Sequence, residues 1–258
     1  MNYLSNNSLG ATARRDLWWL EPAGTFAVLV LFIAYAAWVG LSGTHYEWGP
    51  YLSPFYSPLF KPTWWPFSPA ILVLIVPLGF RTTCYFYRRV YYRAFFMDPP
   101  ACAVGEARKH YEGETKLLVF QNFHRFFVYL AVVFLVFFVI DDIHAMMWPI
   151  NGILPNGQMA PGPKTFGIGL GTIIMVLDLI FLSFYTFGCH FLRHLVGGSL
   201  DCFSCSKTKE TRHGIWKIIS KLNEHHMAWG WISLGWVTFT DLYIRLCSMG
   251  IIHDVRIF

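Results

Sequence analysis

Apolar residues along this chain fall into blocks of about 20, the length of helix that crosses a hydrocarbon layer of about 30 Å. Five blocks predict helices over about 22–41, 68–96, 116–143, 165–196 and 222–249. The first opens at Glu21-Pro22 and carries no further charge, with Pro well placed in a first turn. The second passes through Pro77, a predicted kink, and ends at Asp98-Pro99-Pro100. Trp148-Pro149 stops the third, a Gly- and Pro-rich turn over Asn151 to Lys164 follows, and Gly197-Gly198 closes the fourth. Ile215 to Leu222 starts a further helical stretch ahead of the fifth.

The segments between the blocks are polar or aromatic. Asn2 to Ser8 is a polar head, and Leu9 to Leu20, with Arg14, Arg15, Asp16, Trp18 and Trp19, predicts an interfacial helix within residues 1–21. Gly43 to Pro66 holds Pro50, Pro54, Pro58, Pro62 and Pro66, which exclude a continuous helix and predict an ordered aromatic cap at the interface. Arg108, Lys109, Glu112 and Glu114 predict a wet connection between the second and third helices.

Composition agrees with a membrane protein. Apolar residues make up 55% of the chain, charged residues 14% and aromatics 19%, which leaves no room for a large water-soluble domain. Nucleic acid is not an expected partner, and no secretory signal peptide is expected at the start. The net charge of +5 matters less than its placement. Arg14, Arg15, Arg88, Arg89, Arg93, Arg108, Lys109, Lys116, Arg193, Lys207, Lys209, Arg212, Lys217 and Lys221 gather on one side; Lys61, Lys164 and Arg256 lie on the other. The positive-inside rule then puts the amino terminus in the cytoplasm and the carboxyl terminus outside. The expected fold is an all-α membrane protein, a single domain over 1–258: a bundle of five transmembrane helices with an N-terminal interfacial helix.

Candidate chemistry recurs in two copies. Phe80 to Arg89 reads F-R-T-T-C-Y-F-Y-R-R, and Thr186 to Gly198 reads T-F-G-C-H-F-L-R-H-L-V-G-G. Arg88 follows Cys84, and Arg193 follows Cys189, by four residues, a rise of about 6 Å on a helix. Each copy is followed by Asn-x-His: Asn122-Phe123-His124, then Asn223-Glu224-His225 with His226 beside it. Cys84, His124, Cys189, His190, His194 and His226 all fall near the predicted cytoplasmic face. A single Cys in a membrane helix is ordinarily a small packing residue. Recurrence at matching places, and the cost of ionisable groups in membrane helices, favour redox-centre ligation.

Three ligand sets fit. Haem b needs facing imidazoles, from His124 with His226 or His190 with His194, and leaves the thiols idle. Two Cys with two His is the ligand set of a Rieske-type two-iron, two-sulfur (2Fe-2S) cluster, and a pseudo-twofold axis would place Cys84 opposite Cys189 and His124 opposite His226. Zinc accepts the same donors but has little to do inside a membrane bundle. A metal-free transporter using Arg81, Asp178, Asp241 and Arg245 is a further alternative. Cys202-Phe203-Ser204-Cys205 is expected to be a reduced pair in a reducing cytoplasm. Arg81 needs a buried partner, Asp241 and Arg245 are spaced to pair on one helix, and Asp141, Asp142 and His144 are expected to be solvated. Asn122, Tyr85 and Trp229 are candidates to line a pocket for a flat ring.

The runs Y-L-S-P-F-Y-S-P (Tyr51 to Pro58), G-F-R-T-T-C-Y-F-Y-R-R (Gly79 to Arg89), D-P-P-A-C-A-V (Asp98 to Val104), N-F-H-R (Asn122 to Arg125), C-H-F-L-R-H-L-V-G-G (Cys189 to Gly198) and L-N-E-H-H-M-A-W (Leu222 to Trp229) resemble the single-chain membrane anchor of bacterial succinate dehydrogenase, respiratory complex II. The resemblance covers nearly the whole chain. It implies a multi-pass protein of the bacterial plasma membrane, with a flavoprotein subunit and an iron-sulfur subunit docked on the cytoplasmic face. It further implies electron transport from succinate to quinone, linking the tricarboxylic acid cycle to the respiratory chain. Anchors of this class carry haem b, no haem, or, in the branch this sequence resembles, a membrane-embedded Rieske-type cluster. The implied metal ligands are Cys84, His124, Cys189 and His226, with His226 preferred to His225 by its place in the motif. The implied quinone-binding residues are Arg81, Asn122 and Trp229.

Overall fold

The computed structural model describes residues 8–106, 116–199 and 201–258. The predicted polar head up to Asn7 and the charged connection with Arg108, Lys109, Glu112 and Glu114 lie outside the described residues. Eight α-helices are present among the described residues: α1 (Leu20–Ser42), α2 (Ala70–Thr83), α3 (Tyr85–Phe95), α4 (His124–Ala145), α5 (Leu170–Phe187), α6 (His190–Gly197), α7 (Lys207–Glu224) and α8 (His226–Ser248). Two small antiparallel ribbons, β1 (Glu47–Trp48) with β2 (Tyr51–Leu52) and β3 (Met147–Pro149) with β4 (Lys164–Phe166), complete the mostly helical fold.

Three stretches are long and apolar enough to cross a membrane: Leu20–Ser42, Val119–Ala145 and Leu170–Phe187. The pair α2 and α3, bent by 78°, makes a fourth if taken as one span. α8, which carries Asp241 and Arg245, is not among them.

Several predicted boundaries move. The second helix bends at Cys84, while Pro77 sits inside α2. The third begins as a 3-10 turn over Lys116–Phe123 before α4. The fourth starts at Leu170 and breaks at Gly188-Cys189. Ser8 to Trp19 runs as turns and bends instead of the predicted interfacial helix. Its backbone is engaged elsewhere, Gly10 N donating to Gly105 O (3.0 Å) and Gly105 N to Ala11 O (2.8 Å), and the Arg14 side chain adds Nη1 to Cys102 O (2.8 Å).

The chain forms two compact units, Met1–Ala37 with Gly79–His124, and Trp38–Leu78 with Arg125–Phe258. The second unit contains the aromatic cap. Tyr51, Phe55 and Tyr56 are buried, Tyr46 stacks on Tyr56 at 4.1 Å, and the Tyr56 hydroxyl donates to Val39 O at 2.7 Å. Tyr51 packs with Ala145, Trp148, Met175 and Ile244 in a core joining the cap to α5 and α8. Beside it Arg245 Nε donates to Asp241 Oδ2 at 2.7 Å, the pairing expected from their spacing. Both are fully buried; Ser53 Oγ donates to Asp241 Oδ1 and Arg245 Nη1 donates to Thr44 O, while Arg245 Nη2 has no hydrogen-bond partner among the described residues. Asp142 is also buried and Asp141 accepts from Ser57 Oγ, so only His144 of that trio is solvated. Tight packing of the cap against α4 removes these carboxylates from water.

Candidate functional site

The two candidate thiols cap helices at two breaks of nearly identical geometry. Cys84 stands between α2 and α3 with φ −66° and ψ 132°; Cys189 stands between α5 and α6 with φ −62° and ψ 134°. Each amide bonds back three residues, Cys84 N to Arg81 O and Cys189 N to Thr186 O, both at 3.2 Å. Each carbonyl accepts from the Arg four residues on, Arg88 N at 2.9 Å and Arg193 N at 3.0 Å. One extended residue between two helical segments therefore turns the chain and ends the apolar run. Both thiols are buried and not disulfide-bonded.

Local sequence explains the breaks. Thr83 Oγ1 donates to Gly79 O at 2.6 Å, a back-bond of the kind that bends helices. In the second copy Gly188 occupies the corresponding place and lowers helix stability there.

The imidazoles follow the same plan. His124 opens α4 and stacks on Phe80, with ring centroids 5.1 Å apart and planes 5° from parallel. His226 opens α8 and stacks on Tyr185 at 4.9 Å and 14°. Phe80 and Tyr185 each precede their thiol by four residues, in F-R-T-T-C and Y-T-F-G-C. Of the adjacent pair, His225 is exposed at the α7–α8 junction, while His226 takes the place equivalent to His124.

Two differences separate the half-sites. Thr83 Oγ1 lies 3.0 Å from His124 Nδ1; with its proton given to Gly79 O, the hydroxyl is placed to accept from Nδ1–H. At Gly188 a Cβ would fall 2.8 Å from Phe184 O, 3.2 Å from Leu222 O and 3.3 Å from His226 Nδ1. Only glycine lets the end of α7 come this close, and Asn223 Nδ2 closes the contact by donating to Gly188 O at 2.7 Å.

Arg81, expected to face a carboxylate, a cofactor or a polar headgroup, has a phenol among its partners. Its Nη1 donates to Tyr87 Oη at 2.5 Å and its guanidinium lies 5.5 Å from that ring. Arg88 is buried against Tyr92 at 5.5 Å. Asn122 and Tyr85 are exposed. Trp229 is half-buried, edge-on to Phe184 at 4.8 Å, and its buried indole N–H has no hydrogen-bond partner among the described residues.

His190 and His194 are exposed one turn apart on α6, with Nε2 atoms 3.0 Å apart. Burial first, then the neighbouring His194 and Arg193, hold His190 below the usual imidazole range. Two rings on one helix do not face each other across a macrocycle. Cys202 and Cys205 are joined as a disulfide, contrary to the reduced pair expected, because the C-x-x-C turn brings their Cα atoms to 5.7 Å. Among the described residues no three His, Cys, Asp or Glu side chains converge as a metal-binding group. The Cys84–His124 and Cys189–His226 half-sites belong to different compact units.

The sequence pointed to the thiols and imidazoles but not to Phe80, Tyr185, Thr83 and Gly188. Phe80 and Tyr185 did carry a signal, an aromatic four residues before each Cys.

Residues 20–250 match the family model of the actinobacterial succinate dehydrogenase subunit SdhC. No curated protein matches the chain. Among solved structures, a chain of the Mycobacterium smegmatis Sdh1 complex in the apo form is 38% identical, with a TM-score of 0.81 over 96% of this chain and 94% of that one. A family model matched over most of the chain and a 38% identical relative matched over nearly its full length agree: the chain belongs to the actinobacterial SdhC family, the membrane subunits of succinate dehydrogenase.

Proposed function

We propose that this chain carries electrons from an iron-sulfur subunit to quinone, with Cys84, His124, Cys189 and His226 holding a Rieske-type 2Fe-2S cluster. The observation that carries the reading is the equivalence of the half-sites. Each offers one buried thiol at a helix break and one imidazole stacked on the aromatic four residues before it. Two thiols and two imidazoles in symmetric pairs are the donors such a cluster takes, whereas haem b would use only the imidazoles. When bound, the cluster supplies one-electron transfer between the partner's iron-sulfur centres and quinone.

The chain's own residues position and polarise. Stacking and the Thr83 contact fix the imidazole planes, as supporting contacts do around metal ligands. Arg81 and Arg88, within one turn of Cys84, favour negative charge developing nearby. Arg81, Asn122 and Trp229 are the proposed quinone contacts; the Trp229 indole N–H is a donor suited to a carbonyl oxygen. The reading further takes α8 as a fifth span, the amino terminus as cytoplasmic, and a flavoprotein and an iron-sulfur subunit docked on the cytoplasmic side of a bacterial plasma membrane.

The test is to replace His124 and His226 singly by Ala in the intact complex. The paramagnetic signal of the reduced cluster and quinone reduction should both be lost, with subunit assembly retained. Retention of both would contradict the proposal, and a sharp reduced haem band in the wild-type complex would replace it with the haem reading.

A further inference from the structure

Past the second half-site the chain folds back on itself, and α6 with α7 lines an open pocket of about 270 Å³. Its walls are Arg193, His194, Gly197, Gly198, Phe203 and Trp216. Arg193 is fixed by two contacts: Nε donates to Ser220 Oγ at 3.0 Å, and the guanidinium lies 5.2 Å from the Trp216 ring. Those contacts leave its two terminal nitrogens as donors toward a ligand. The carbonyls that end α6 do not compete for them, since Arg212 donates to Leu195 O, Val196 O and Gly198 O. Phe203 closes one wall from the disulfide loop and packs on His213 at 4.1 Å. The site is thus a guanidinium and an imidazole set between two aromatic walls.

Its surroundings are those of a membrane surface. α5, an apolar helix of 18 residues and so about 27 Å long, ends at Phe187, six residues before Arg193. The segment 190–224 holds Arg193, Lys207, Lys209, Arg212, Lys217 and Lys221 against Asp201, Glu210 and Glu224. On the same two helices Leu195, Ile215 and Ile218 are exposed, Ile218 to 65%. Basic residues interspersed with exposed aliphatics on helices that follow a span suit an anionic lipid surface.

We infer that the α6–α7 cavity binds the phosphodiester headgroup of an anionic phospholipid, with Arg193 as its principal donor. The guanidinium forks onto two phosphate oxygens, His194 adds a further donor, and the exposed aliphatics lie against acyl chains. The inference does not depend on which cofactor the half-sites hold.

The test uses the whole complex in phosphatidylcholine nanodiscs with or without phosphatidylglycerol, reading retained lipid by native mass spectrometry and thermal stability in parallel. The wild-type complex should retain phosphatidylglycerol and melt higher with it. Arg193→Gln should weaken retention about tenfold or more, as expected for losing a charged hydrogen bond, while Lys164→Gln, exposed and outside segment 190–224, should change it little. If Arg193→Gln disturbs assembly, Phe203→Asp puts a carboxylate on the exposed wall and should expel the lipid equally. Wild-type retention in either assembled variant would overturn the inference. Equal stabilisation by millimolar inorganic phosphate in phosphatidylcholine alone would also overturn it, assigning the cavity to a small anion.

Discussion

The breaks at Cys84 and Cys189 reach one backbone geometry by different means. At Cys84, a threonine back-bond bends the helix and the same oxygen accepts from His124. At Cys189, the bend comes at a glycine whose missing side chain admits the end of α7, with Asn223 bonded across. The imidazole is approached through a 3-10 turn in the first copy and directly from an α-helix in the second. What persists is the thiol at the extended residue and the aromatic ring under the imidazole. The features kept while their supports change are the ones the proposed cluster would use, and the features that vary are local packing.

The comparison can be broken by exchanging the supports. Gly188→Thr puts the first copy's residue into the second, where its Cβ meets Phe184 O at 2.8 Å and the end of α7. Overpacking of this kind should cost about 1–3 kcal/mol, read as a lowered melting temperature of the complex and loss of the cofactor signal. A tolerated threonine would mean that the α7 approach is not fixed. Thr83→Val removes a hydroxyl and keeps the shape. It should cost about 1 kcal/mol or less in stability and should alter the His124 nitrogen hyperfine coupling while the coupling of His226 stays as in wild type. Equal changes at both imidazoles would erase the asymmetry drawn between the half-sites.

Three of the five predicted spans, and a fourth if α2 and α3 count as one, were legible because blocks of apolar residues report burial in lipid; the fifth, α8, is not among the qualifying helices. The breaks were not, because the apolar run continues through Phe80, Cys84 and Tyr85 while a single ψ turns the helix. Pro77 drew attention as the expected kink, yet it sits within α2 and the bend falls seven residues later. The interfacial helix failed for a different reason: its backbone bonds to Gly105 and its Arg14 side chain to Cys102 O, and such long-range pairing leaves no periodic trace. The reading of Cys and His positions needed only their repetition. Phe80 and Tyr185 escaped it because aromatics make up 19% of the chain and one more near a candidate His carries little weight without the stacking geometry.

The most direct measurement is the iron and acid-labile sulfide content of the purified complex, wild type against Cys84→Ala and Cys189→Ala. A shared 2Fe-2S centre predicts that either single substitution removes about two irons and about two sulfides while the partner subunits' clusters remain. Unchanged iron and sulfide in both variants would contradict the assignment of the paired half-sites to one redox centre.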